Sequence, residues 1–248
     1  AKESGVHRGM VCAEPGVFSS GDAVDVDLTL TKRSPKLSHR VPIRFHTGTV
    51  EIRGQLLLLD RNEACPSDSL VARLELDENV ACHPTDRFLL RLQNPAITIG
   101  GGRILRLEDS GRYRRKDLGA ELQGIVDAGD KPEARVLHEL EQAGSSGCAI
   151  DDLSRALSLG DGKVLEMVEA LPEVEVHEKA MRVFLREQVA VGERELLESV
   201  DRMLARRPAA ASIKRASIRT TRSLPQQLVE FVFEKMQSSG RVRAGRQG

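Results

Sequence analysis

Residues 87–107 constrain the fold more than any other stretch of the chain. Arg87-Phe88-Leu89-Leu90-Arg91 is followed, after a short loop, by Thr98-Ile99-Gly100-Gly101-Gly102-Arg103-Ile104-Leu105. Phe88, Leu90 and Leu92 alternate with outward-facing residues, as a half-buried strand requires. Ile104, Leu105 and Leu107 resume an apolar strand beyond the glycines. Three consecutive glycines joining two strands predict a bulge or the close approach of another backbone, because side chains there would clash or block positive φ. Taken alone, these residues suit a glycine-rich hairpin in any small barrel.

The rest of the first half reads the same way. Val24, Val26, Leu28 and Leu30 alternate with Asp25, Asp27 and Thr29, while Leu70, Ala72, Leu74 and Leu76 alternate with Val71, Arg73 and Glu75, so each strand has one face in and one face out. Ser19-Ser20-Gly21-Asp22, Arg61-Asn62-Glu63 and His83-Pro84-Thr85-Asp86 supply turns between them. Several short antiparallel strands without intervening helices predict a closed barrel over about residues 18–108, since closure removes exposed edges.

From Pro132 the apolar period lengthens. Val136, Leu137 and Leu140, then Ile150, Leu153 and Leu157, then Val164, Leu165, Val168 and Leu171 form three helical stripes. Val174 and Val176, then Met181, Val183 and Leu185, alternate as two strands around Glu178-Lys179. Three helices and a β-hairpin make a winged-helix pattern, although a helical bundle with an added hairpin has similar periodicity. The pattern then restarts: Leu196, Leu197, Val200, Met203 and Leu204, a short element over 213–218, and Leu224, Leu228, Phe231, Val232 and Met236, with Arg241-Val242-Arg243 beginning a wing.

The formal net charge is zero, but it is segregated. Residues 1–116 hold 18 basic and 15 acidic side chains, residues 117–188 hold 7 and 16, and residues 189–248 hold 12 and 6. Between Arg202 and Arg222 stand Arg202, Arg206, Arg207, Lys214, Arg215, Arg219 and Arg222 with no acid among them. A run of this density suits a polyanion backbone. No apolar run approaches the roughly 20 residues needed to span a bilayer, and Ala1–Gly5 lacks an apolar signal core. Cys12, Cys65, Cys82 and Cys148 are scattered, and Cys82-His83 lacks two further ligands at zinc spacing, so these read as thiols in a reducing compartment and no metal is expected. No G-x-x-x-x-G-K-[ST] phosphate loop is present: Gly162-Lys163 is followed by Val164, and Leu157 stands where the first glycine belongs. No catalytic residue is assigned.

The segment Arg87–Leu105 resembles the last two strands of the third domain of elongation factor Tu-like translation GTPases, and its triple glycine is most similar to the selenocysteine-specific elongation factor family. Arg8-Gly9-Met10-Val11 with Pro15-Gly16 resembles the closing strand of the second barrel domain, and His46-Thr47-Gly48-Thr49-Val50 the strand entering the middle of the third. The resemblance covers residues 5–107 in order. The fold class that follows is mixed all-β plus α+β, an elongation factor Tu-like β-barrel followed by tandem winged-helix domains. The corresponding divisions are 1–17 (final strand of a truncated barrel), 18–108 (barrel), 109–130 (linker with a short helix), 131–188 (first winged helix) and 189–248 (second, wing truncated).

The resemblance implies a piece of a longer cytoplasmic, monomeric factor that delivers selenocysteinyl-tRNA to the ribosome. GTP and Mg2+ are then expected in a separate GTPase domain, and an mRNA hairpin on further carboxyl-terminal domains. By position in the family pattern, Lys36, His39 and Arg40, with Gln93 and Asn94, are where tRNA contact would fall. Ile97 replaces the arginine that elongation factor Tu places before Thr98. Arg206, Arg207, Lys214, Arg215, Arg219 and Arg222 are the expected RNA-backbone contacts. Two other readings remain open at this point: another elongation or initiation GTPase delivering a different tRNA, and a winged-helix DNA-binding regulator. The acids Asp151, Asp152, Asp161, Glu166 and Glu169 oppose the latter, because they would repel a duplex.

Overall fold

The computed structural model describes residues 8–13, 18, 20–206 and 224–242. These form two compact units, the first comprising the described residues up to Arg135 together with Ser154–Gly160, and the second Val136–Leu153 with the described residues from Asp161 onward.

The first unit is built on β1 (Ser20–Leu30), β2 (Leu37–Ser38), β3 (Arg40–Thr47), β4 (Val50–Leu58), β5 (Glu63–Ala64), β6 (Ser69–Ala81), β7 (Arg87–Leu92) and β8 (Thr98–Glu108). Six of these close into an antiparallel barrel in the order β1-β6-β4-β3-β7-β8, while β2 and β5 pair as a separate ribbon. Alternation fixes which side chains enter. Val24, Val26 and Leu28 from β1, Ile43 and Phe45 from β3, Leu74 from β6 and Leu90 from β7 are fully buried in one core.

The three glycines lie inside β8 and do not join two strands. Gly100, Gly101 and Gly102 pair with Leu30, Thr29 and Leu28 of β1 on one side, and with Leu90, Leu89 and Phe88 of β7 on the other. None has a positive φ. Close approach is therefore their reason: a Cβ at Gly101 would stand 2.6 Å from the Phe88 carbonyl oxygen, one at Gly100 would stand 2.7 Å from that of Thr29, and one at Gly102 would overlap that of Asp27.

The 109–130 segment is more than a linker. It contains a 14-residue helix, α1 (Arg115–Ala128), whose Leu118, Leu122 and Ile125 pack on Leu59, Val71 and Leu105 from the outer barrel wall. Arg115 fastens its start through hydrogen bonds from Nη2 to the carbonyls of Leu58 and Arg61. Covering that wall overturns the outward-facing expectation for three residues: Val71, Arg73 and Asp25 are all buried. A second layer can be apolar on both faces of a strand only where another element shields it.

Residues 8–13 also differ from expectation. Arg8 and Gly9 form a turn and residues 10–13 have no regular structure, so the expected strand does not form there. Strand backbone needs a ladder partner; this segment is held instead by Arg8 Nε donating to the Thr49 carbonyl and the Gly9 N–H donating to Thr49 Oγ1.

Beyond the barrel come α2 (Pro132–Ala143), β9 (Cys148–Ala149), α3 (Ile150–Leu157), α4 (Asp161–Ala170), β10 (Val174–His177) and β11 (Arg182–Leu185), with an antiparallel sheet in the order β10-β11-β9. Helix, strand, two helices and a hairpin is the element order of a winged helix. The strand β9 is too short to leave an alternation signal. Two longer helices follow, α5 (Arg186–Arg206) and α6 (Gln226–Ser238), and α5 starts directly after β11, so a boundary at 188/189 falls inside a helix. In the second unit Phe184, Val189, Leu196, Leu228, Val232 and Met236 share a core. His177 stacks on Phe231, with ring centroids 4.9 Å apart, and Phe231 stacks on Phe184 at 5.6 Å. No helix among the described residues is long and apolar enough to cross a membrane.

Candidate nucleic-acid interface

Outward positions of β3, β4 and β7 form a cationic wall that sequence reading missed. Arg53, Arg44 and Arg91 occupy one ladder row, Arg44 pairing in register with Arg53 on one side and with Arg91 on the other. The next row runs Glu51, His46, Leu89, Gly101 and Thr29 across β4, β3, β7, β8 and β1. Arg40 and Arg87 lie at the ends of β3 and β7 and are exposed, as is Arg53. Glu51 is the carboxylate on the outward positions of these three strands, hydrogen-bonded by Arg44 Nη1 at 2.8 Å and 3.9 Å from His46 Nδ1. That hydrogen bond, more than any other influence, holds the Glu51 carboxyl below its ordinary pKa.

Like charges directly opposite each other destabilise a sheet. Three arginines in one row are a fold-level cost that an external polyanion would turn to advantage. Among the described residues the buried atoms Arg44 Nε, His46 Nε2 and Arg91 Nε have no hydrogen-bond partner, while Arg91 Nη2 donates to the Ala96 carbonyl. The signal was present in the sequence as arginines on the solvent phase of alternating strands. It was not legible as a cluster, because β3 and β4 form a local hairpin but β7 joins them only in the folded barrel.

The residues expected at a tRNA contact fall at the adjoining end of the barrel, where β3 begins and β7 ends. Gln93 lies against β3, its Nε2 donating to the Ile43 carbonyl at 3.1 Å and its backbone N–H to that of Pro42 at 3.4 Å. Asn94 and Ile97 are exposed in the following loop. Arg40 is near this end but is engaged by Glu75 at 2.8 Å. Lys36 stands beside the β2–β5 ribbon, paired with Glu63 at 2.6 Å, an exposed hydrogen bond that raises its pKa. His39 is half-buried, and among the described residues its Nδ1 has no hydrogen-bond partner. Lys32 and Arg33, in the turn after β1, are exposed cations at the same barrel end. The structure thus places Gln93 against β3, turns Arg40 toward Glu75 of β6, and leaves Lys36 beside the separate β2–β5 ribbon.

Of the second basic group, Arg206 ends α5, whereas Arg207, Lys214, Arg215, Arg219 and Arg222 lie outside the described residues. Gly162 and Lys163 sit in the first turn of α4 rather than in a loop after a strand. Burial pushes the thiols of Cys82 and Cys148 up to about 12 and about 11, which makes both poor nucleophiles at neutral pH. Cys12 and Cys65 are exposed and free.

On the α1-covered wall the arginines are neutralised instead. Arg73 Nε and Nη2 donate to the two oxygens of Asp25 at 2.7 and 2.8 Å, Arg106 Nε and Nη2 each donate to Asp25 Oδ2 at 3.2 Å, and Glu108 and Glu121 complete the cluster. Tyr113 lies over the Arg73 guanidinium, 4.5 Å from ring centroid to Cζ. Burial alone would lower the pKa of Arg73, but the bond and charge of Asp25, with Glu108, outweigh it and hold the value above the ordinary one.

Residues 22–110 match the family described as selenocysteine-specific elongation factor, beta-barrel domain. A selenocysteine-specific elongation factor from Desulfomicrobium baculatum is 27% identical over 248 residues, an alignment covering 96% of this chain and 38% of that protein. The crystal structure of a bacterial selenocysteine-specific elongation factor, EF-Sec, superposes with a TM-score of 0.52 at 12% identity, covering 90% of this chain and 33% of the other. The chain therefore spans well under half the length of these proteins, and the structural likeness speaks for the fold. In sequence, the six-stranded barrel with its glycine-lined β8 thus matches, over residues 22–110, the beta-barrel domain of the selenocysteine-specific elongation factor family.

Proposed function

We propose that this chain is the RNA-holding part of a factor that delivers selenocysteinyl-tRNA to the ribosome for incorporation at UGA codons. The observation that carries the reading is the Arg53–Arg44–Arg91 row on a barrel that matches that family. Arginines in register on neighbouring strands that lie about 5 Å apart suit the oxygens of a phosphate backbone better than a base edge. The role is positional: these side chains hold RNA and fix its orientation. Arg40, Gln93 and Asn94 at the end of the same wall extend the contact, and Lys36 and His39 lie beside it.

GTP and Mg2+ belong, on this reading, to a separate GTPase domain of the parent factor, because the phosphate-cradling motif is lacking from this sequence. The basic run from Arg202 to Arg222 supplies a second, weaker RNA-backbone contact, and hairpin-specific mRNA recognition resides in other domains. Acids Asp161, Glu166 and Glu169 on α4 keep that helix off nucleic acid.

Titrating the 248-residue chain with a selenocysteine tRNA transcript across a salt series tests the reading. Binding should weaken steeply with salt, and removing the three arginines of the row should flatten the log-log slope by about two to three units. A slope unchanged by those substitutions sinks the assignment of the wall. Equal affinity for an elongator tRNA would favour a general tRNA-holding barrel.

A further inference from the structure

Glu51 is the feature of the cationic wall that its RNA-holding role leaves unexplained. It stands one ladder row from Arg44 yet reaches across to it, Oε1 accepting from Nη1 at 2.8 Å, while its other oxygen faces His46 at 3.9 Å. Arg44 is the central member of the row, with Arg53 and Arg91 as its two cross-strand neighbours. A carboxylate bound to the middle guanidinium relieves the repulsion that three adjacent cations would otherwise feel. It also occupies the donor that a phosphate arriving at the centre of the row would need.

We propose that Glu51 is a built-in stand-in for phosphate, which holds Arg44 in place when RNA is absent and lowers RNA affinity by competing for it. This rests on the reading of the wall as an RNA-holding surface. A carboxylate and a phosphodiester both present two anionic oxygens to a guanidinium fork, so exchange needs no rearrangement of the strand. Both ion-pairing groups are substantially solvent-exposed, with side-chain exposures of 34% for Arg44 and 49% for Glu51, so the contact is weak enough to be displaced. Once displaced, Glu51 remains beside the bound phosphate and repels it. A protein that must let go of its RNA after delivering it gains a faster release from such a residue. Arg53 and Arg87, which are exposed and stand in no ion pair with a carboxylate among the described residues, provide the attraction that brings RNA to the wall.

The test is a double-mutant cycle on the 248-residue chain, read as affinity for a selenocysteine tRNA transcript at fixed salt, with thermal melts to show that each variant is folded. Glu51→Gln should tighten binding about two- to fivefold, the scale of one exposed ion pair. In an Arg44→Ala background the same change should gain much less, because there is no guanidinium left to compete for and only the direct repulsion of phosphate is removed. Glu78→Gln, an exposed acid on β6, serves as the control for a general change of field. Unchanged or weaker binding by Glu51→Gln overturns the proposal, as does an equal gain in the Arg44→Ala background, which would reduce Glu51 to one charge among many. If the row variants themselves leave binding unaltered, the RNA-holding reading of the wall fails first, and the role of Glu51 fails with it.

Discussion

Two walls of one barrel use arginine in opposite ways. Under α1, Arg73 and Arg106 are drawn into a cluster in which Asp25, fully buried, accepts from both, and Glu108 and Glu121 neutralise what remains. Across β4, β3 and β7, Arg53, Arg44 and Arg91 stand side by side, with one exposed carboxylate, Glu51, in the next row bound to Arg44. The first arrangement satisfies its charges internally, as burial demands. The second leaves them only partly compensated, which solvent permits. Charge compensation, more than residue type, separates the arginines that hold the fold from those available to a ligand.

The contrast can be broken most directly at Asp25. Asp25→Ala would remove the carboxylate shared by buried Arg73 and half-buried Arg106, leaving them only the more exposed Glu108 and Glu121, and urea unfolding should show a loss of about 3–5 kcal/mol. A loss below about 1 kcal/mol would mean that water already screens the cluster, and the two walls would differ less than their geometry states. At the other wall, Arg44→Ala, Arg53→Ala and Arg91→Ala together should leave the thermal midpoint unchanged or raised, since like-charge repulsion is removed. The same variant should flatten the salt dependence of RNA binding by about two to three units. A large loss of stability would make the row structural.

A smaller effect is expected where shape and not charge is at stake. Gly101→Val should cost roughly 1–3 kcal/mol, because its Cβ would stand 2.6 Å from the Phe88 carbonyl. An unaltered melt would show that β7 and β8 can separate freely. The smallest effect is expected on α4: Asp161→Asn with Glu166→Gln and Glu169→Gln should leave the salt slope of RNA binding within about 0.3 units of the parent chain. A clear rise in affinity would mean that this acidic face approaches the RNA after all.

Much of the barrel is written locally. The alternation of Val24, Val26 and Leu28, or of Ile43 and Phe45, selects strand and inward face at once, and the helical stripes of α2, α3 and α4 are equally plain. The two-residue strand β9 has no period to read. The burial of Val71 and Arg73 escaped the same reasoning, because alternation says which residues share a face but not whether a later helix will cover it. The candidate site divided similarly. Arg40, Gln93 and Asn94 were reached through resemblance in local motif, whereas the arginine row comes from strands separated by more than thirty residues, Arg53 on β4 and Arg91 on β7.

What the sequence by itself determined is the period of each segment and the segregation of charge along the chain. These depend on neighbours in sequence, whose spacing is set by strand and helix geometry. Only the tertiary structure decided which outward charges meet. Closure of the barrel in the order β1-β6-β4-β3-β7-β8 placed Arg53, Arg44 and Arg91 in one row, and docking of α1 sealed Asp25 with Arg73 and Arg106. Coulomb energy depends on distance and dielectric, and both are fixed by packing between elements that the linear order keeps far apart.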